Sequence, residues 1–186
     1  AVQYFGARED LGKFFAYIML FMGAMLGVVM SDNLILFYMF WELTSVSSFL
    51  LIGFWHTSED SRYGALKALL LTVFVGFAIL AGVVLLYTYT GTFEFSEMLG
   101  QREALRFSGI YLPAAILLLL GALTKSAQVP FHIWLPGAMA APTPVSAYLH
   151  SATMVKAGIF LVAKFSLLLG GTPFWYYTIA DRKSVV

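Results

Sequence analysis

LTKSAQVPFHIWLPGAMAAPTPVSAYLHSATMVKAG, residues 123–158, decides how the rest of this chain is read. It opens with Lys125 at the end of a long apolar run. Pro130, Pro136, Pro142 and Pro144 then interrupt the helical pattern, and His150 and Lys156 follow inside a second apolar run. A lysine at the centre of a bilayer costs about 3 kcal/mol on insertion scales, so such residues mark ion pathways. Each proline removes a backbone donor and clashes with the preceding turn, leaving carbonyls that need another partner or water. Two buried lysines around a broken helix read as a charge-handling site.

The composition agrees. The chain is 60% hydrophobic and 11% charged, with a mean hydropathy of +0.83. Soluble domains carry roughly a quarter charged residues, so this is a membrane protein. A net charge of +1 gives no reason to expect a nucleic-acid partner. The absence of Cys excludes disulfides, thiolate metal sites and cysteine nucleophiles. The first residues, AVQYFGARED, lack Met and a basic leader, and with the abrupt apolar end they suggest a piece of a longer polytopic chain.

Working outward, five spans are expected: residues 13–30, 33–55, 66–91, 110–140 and 144–169, the fourth broken near Pro130. Together they define an all-α polytopic membrane domain over residues 1–180, a helix bundle with one proline-broken member. Residues 174–179 resemble the interfacial start of a further span. The charged hexapeptide 181–186 can be encoded by read-through into a sequencing adapter and is expected to be an artefact. Arg8, Lys13, Arg62 and Lys67 fall on one side, against Arg102 and Arg106 on the other, which places the first set in the cytoplasm.

The charged residues inside the spans carry the chemistry. Glu42 sits near the middle of the second span, with hydroxyls at Thr44, Ser45, Ser47 and Ser48, of which Ser45 is close to its face. Burial disfavours a carboxylate and a nearby cation favours it, so a glutamate facing a movable lysine can be toggled. The competing reading is a permanent ion pair that pins two helices. Lys125 is the natural partner, because the apolar sequence continues past it and argues against snorkelling. Histidine is the side chain type whose charge changes near neutral pH, so His150 joins Lys156 as a relay candidate. Those two lie about 120° apart on an ideal helix and share a face only if the helix is distorted. His132, between two prolines, suits an interfacial or capping role equally well, and Lys164 suits snorkelling. No phosphate loop, dinucleotide fingerprint, catalytic triad or metal cluster is present, so no cofactor is expected.

At this point FYMFWELTSVSSFLLIGFWH and the stretch LTKSAQVPFHIWLPGAMAAPTPVSAYLHSATMVKAGIFLVAK resemble the antiporter-like membrane subunits. That family is shared by Mrp-type multisubunit Na+/H+ antiporters and the proton-pumping arm of respiratory NADH:quinone oxidoreductase. The version FWELTSVSSFLLIGFWH is most similar to the subunit-A branch of the antiporters. The resemblance covers nearly the whole chain apart from the tail. It implies two inverted repeats in a complete subunit, with this chain holding most of the first. It also implies that Glu42 and Lys125 form a buried pair in a proton half-channel, which His150 and Lys156 continue across the membrane. Implied partners are H+, Na+ or another monovalent cation, further subunits and the lipid bilayer. The implied setting is the cytoplasmic membrane of a prokaryote. One departure stands out: many relatives carry Asn and Glu within residues 135–142, where Gly137 and Ala140 remove those side chains. Two alternatives to antiport remain, a redox-driven proton pump subunit and a purely structural subunit with static ion pairs.

Overall fold

A computed structural model describes residues 11–180, with residues 150–152 and 180 described by their backbone alone. The orientation residue Arg8 and the tail 181–186 lie outside the described residues. The described residues form helices joined by short turns and loops, with an isolated bridge between Asn33 and Glu94. Helix α1 spans Leu11–Met30, α2 Leu34–Ile52, α3 Glu59–Thr90, α4 Phe95–Leu99, α5 Arg102–Arg106 and α6 Tyr111–Lys125. A 3-10 turn, Phe131–Trp134, leads into the one-turn α7, Leu135–Ala138. Helix α8, Thr143–Ser146, passes through a π-helical stretch, Ala147–Thr153, into α9, Met154–Leu169, and α10 follows at Pro173–Ala180.

Local chemistry sets the boundaries. Asn33 caps α2, its side chain accepting from Ile35 N at 3.0 Å and Leu36 N at 3.1 Å. The third helix begins at Glu59, inside what reads as a polar loop. Ser58 caps it, and Glu59 and Asp60 complement the positive end of the dipole. Its 32 residues, about 48 Å of rise, exceed the hydrocarbon thickness, so the charged first turns stand outside it. Gly91, at φ 74°, ends α3 in the left-handed conformation that glycine adopts most readily. The long polar segment that follows is not plain loop, since α4 and α5 form within it.

Helices α1, α2, α3 and the continuous run Thr143–Leu169 are long and apolar enough to cross a membrane. Helix α6 has only 15 residues, about 22 Å, and crosses only together with the segment beyond its break. Helix α3 packs against both α2 and α6, while α1 lies on α2 and α9 lies on α6.

The buried side chains divide into two apolar clusters. One gathers Phe37, Trp41, Ile79, Val83, Leu118, Ala122 and Leu161. The other gathers Phe14, Leu51, Ala68, Trp134, Val145 and Met154. Between them, on each of three helices, the buried positions turn polar: Thr44, Ser45, Ser47 and Ser48 on α2, Thr72 on α3, Thr124 and Lys125 on α6. A layer of hydroxyls and one ammonium therefore crosses the bundle between two dry cores.

Close helix approach holds the layer together. A Cβ at Gly121 of α6 would collide with the Ile79 side chain of α3. Small residues at such crossings let membrane helices pack without a hydrophobic driving force between them. Replacing Gly121 by Val should destabilise the intact complex by about 1–3 kcal/mol through overpacking. A lowered thermal midpoint of the solubilised complex is the readout, and an unchanged midpoint would show that the two helices part there.

Candidate functional site

The site begins with the end of α6. Its last residue is Lys125, only 1% exposed, and the following residues cannot continue the helix. Ala127 takes φ 50° and Pro130 has no backbone donor. The carbonyls released by the break find partners. Trp134 Nε1 donates to Thr124 O at 2.9 Å, folding the second half back onto the first, and Gln128 N donates to Leu123 O at 2.9 Å. A cation at a helix C-terminus lies at the negative end of the dipole, so the break favours the lysine it exposes.

The ammonium of Lys125 donates to Ser45 Oγ at 2.7 Å and stands 5.3 Å from the Trp41 ring centroid. Both contacts come from α2, which makes one face of that helix the lysine's receptor. Hydrogen bonds from a charged donor are the strong ones, and a cation over a desolvated indole gains further.

Glu42 lies on α2 between those two residues. Its Oε1 is buried and has no hydrogen-bond partner. The carboxylate rests against Gly76 of α3, where any Cβ would fall on Oε1. Among the described residues the ion pairs within 4.0 Å are those of Arg102 and Arg106 with Glu103, at the bundle's end. Glu42 and Lys125 therefore share a site without touching as an ion pair. Lys125 is held by the Ser45 hydroxyl, with a buried, unpartnered oxygen of Glu42 in the same site.

Lys156, unlike Lys125, is exposed on the described bundle. Helix α9 meets α6 with Ala157, Gly158, Leu161 and Phe165, all buried, and Lys156 sits one step outside that face. Gly158 is the point of contact, since a Cβ there would strike Ser126 Oγ and the Ala122 carbonyl. Lys156 instead borders a cavity of about 350 Å3 with Ser126, Gln128, Val129 and Ile159, which is the far side of the α6 break. The break thus has a lysine on each side, one sealed in and one at an opening.

His150 lies in the π-helical stretch, and its side chain is outside the described residues. The backbone distortion is the π-helical stretch Ala147–Thr153 itself, and at its end Thr153 Oγ donates to Tyr148 O at 2.7 Å. His132 is exposed. Lys164 donates to the carbonyl of Ser31 and lies 5.2 Å from the rings of Phe37 and Phe95. It reaches the α1–α2 turn, as a snorkelling lysine does. Among the described residues, no three His, Cys, Asp or Glu gather as metal ligands. Sequence reasoning placed Ser45 beside Glu42 and missed that it holds Lys125, and it passed over Gly76. A glycine within an uninterrupted apolar span was the available signal.

Three comparisons bear on this site. The family described as NADH:quinone oxidoreductase/Mrp antiporter, TM, matches residues 31–181. The putative antiporter subunit mnhA2 of Staphylococcus aureus is 56% identical over 180 residues, covering 96% of this chain and 22% of that protein. The structure of the Mrp complex from Dietzia sp. superposes with a TM-score of 0.87 at 39% identity, over 93% of this chain and 19% of that one. The chain spans about one fifth of the length of these relatives.

The serine contact is testable in the intact complex. Ser45→Ala removes an acceptor from a buried ammonium and should cost about 1–3 kcal/mol. Ser47→Ala, whose hydroxyl bonds the Leu43 carbonyl of its own helix at 2.7 Å, should cost far less. Lys125→Met in the Ser45→Ala background should recover most of the loss in a double-mutant cycle of thermal stability. Equal losses for the two serines would remove Ser45 from the lysine's support.

Proposed function

Because the chain belongs to the NADH:quinone oxidoreductase/Mrp antiporter transmembrane family, we propose that it is the proton-handling part of a multisubunit cation/proton antiporter. It would then be a transporter subunit, not an enzyme. The observation that carries this reading is the fully buried Lys125, held by a neutral hydroxyl 2.7 Å away with no carboxylate of the described residues in ion-pair contact. A static structural role calls for a closed ion pair, since burying a charge is costly unless it is well paired. A lysine on a serine, one helical turn from a glutamate, is instead arranged to exchange partners.

In this mechanism, a proton enters at Glu42, whose unpartnered oxygen is the place to receive it. Glu42 and Lys125 share the site, so neutralising Glu42 weakens the electrostatic hold on the ammonium. The proton then leaves Lys125 across the α6 break toward Lys156 and His150. Inward proton movement along this route drives export of Na+ or another monovalent cation, whose own path lies in a different part of the complex. The partners are the remaining subunits, and the setting is the bacterial cytoplasmic membrane. The antiporter names of the bacterial relatives support this reading over the respiratory one.

Everted vesicles containing the complete complex, energised to an acid interior, test the proposal. Addition of Na+ should dissipate the pH gradient at once, and Glu42→Gln or Lys125→Ala should abolish that response while the complex still assembles. Retained antiport in both variants would take these residues out of the mechanism. NADH-dependent acidification that requires Glu42, with no response to Na+, would assign the chain to a respiratory pump.

A further inference from the structure

The carboxyl of Glu42 lies in a notch of α3 that exists because residue 76 has no side chain. A Cβ on Gly76 would fall on Oε1 and press on the carboxyl carbon. The polar layer around the notch has hydroxyls to offer, yet none donates to Oε1. Thr44 Oγ donates to Trp41 O at 2.6 Å, Ser47 Oγ to Leu43 O at 2.7 Å, Ser48 Oγ to Ser45 O at 2.9 Å and Thr72 Oγ to Ala68 O at 2.8 Å. Each turns back onto its own helix. Lys125 stands on Ser45, and no ion pair within 4.0 Å joins it to Glu42. Among the described residues, the titratable groups that interact with the carboxyl are Lys125 on α6 and Tyr38, one turn back on α2. Residues 18–30 of α1 and 68–86 of α3 carry no titratable side chain, Lys164 is held at the α1–α2 turn, and Lys156 lies outside the buried face of α9.

We propose that the Gly76 notch is the resting place of protonated Glu42, which leaves it for Lys125 on ionising. Gly76 is then a positioning residue that ties the protonation state of the carboxyl to its location, an inference that rests on the proton-handling reading above. A buried carboxylate without donors or a counter-charge is far costlier than the neutral acid, whose carbonyl oxygen goes unpaired at a smaller loss. Hydroxyls in the same layer make strong bonds to an ionised carboxylate, so their turning away fits a neutral one. Once ionised, the group gains from approaching the ammonium what the notch does not supply. A proton taken up there forms the O–H bond, cancels the attraction to Lys125 and returns the carboxyl to the notch.

The test is an infrared pH titration of the complete complex in vesicles, with Glu42 assigned by subtracting the spectrum of Glu42→Gln. The parent should show the carbonyl stretch of a protonated acid, at the high frequency of a group without a hydrogen bond to its carbonyl. In Gly76→Ala the methyl fills the notch. What it meets is the end of a flexible side chain, so the complex should assemble and the carboxyl should move. The band should then titrate about one pH unit lower, an about ten-fold higher proton concentration, and the alkaline limb of Na+-driven proton movement should shift the same way. A shorter acid leaves room for the methyl, so in a Glu42→Asp background the same alanine should shift the midpoint by less than about two-fold in proton concentration. An unchanged band and midpoint in Gly76→Ala would overturn the proposal, as would a parent in which Glu42 gives no such protonated band at any pH. The parent spectrum needs no change at residue 76, so it decides the matter even if the alanine variant fails to assemble. The band reports on Glu42 alone: the expected shift in vesicles that do not respond to Na+ would keep the notch and correct only the antiport reading.

Discussion

Lys125 is sealed among apolar helices, and the cost of keeping an ammonium away from water shapes what surrounds it. Stripping a charge of its hydration costs several kcal/mol even after relaxation, so the neighbours must supply what water would have. They do so in three forms: the Ser45 hydroxyl, the face of Trp41 and the negative end of α6. Each is a dipole or a quadrupole, not a full opposing charge. On the proposed reading, a lysine held in this way is stabilised without being locked.

The break in α6 follows from the same requirement. A helix running straight through would satisfy its own carbonyls and present no dipole end inside the bundle. Ending at Lys125 creates that end, but it also releases backbone groups that lipid cannot accommodate. The Trp134 indole returns to Thr124, and Ser126 reaches Val155 of the neighbouring segment at 3.2 Å, so the break is covered from both sides. Gly158 lets α9 lie close enough for this, and its partner face leaves Lys156 outside, at the opening. Packing and chemistry are one arrangement here, because the glycine contact that closes the bundle also decides which lysine is sealed.

Much of this was legible beforehand. Helices long enough to cross a bilayer declare themselves by composition, since no other structure satisfies the backbone in hydrocarbon. Glu42 and Lys125 stood out because each breaks an apolar run, and the clustered prolines announced the discontinuity. Less legible was the direction of each side chain. Lys156 looks as buried as Lys125 in the sequence, since both follow apolar neighbours, and only the register of α9 on α6 separates them. Ser45 was visible as a hydroxyl near Glu42, but which helix would present a donor to it depends on a crossing eighty residues away in the chain. The start of α3 at Glu59 was a local matter, hidden because a capped and charged first turn has the composition of a loop.

The amino-acid order by itself determined that this chain spans a membrane as helices, that one of them is interrupted, and which residues carry charge into the apolar interior. Those properties follow from transfer energies and backbone hydrogen bonding, which act residue by residue. Tertiary structure alone decided that Lys125 donates to Ser45, that Gly76 makes room for the Glu42 carboxylate, and that Lys156 lies beside the buried face of α9 and not within it. Those depend on how helices cross, and crossings are set by contacts between residues far apart in the chain, where a single small side chain changes what can approach.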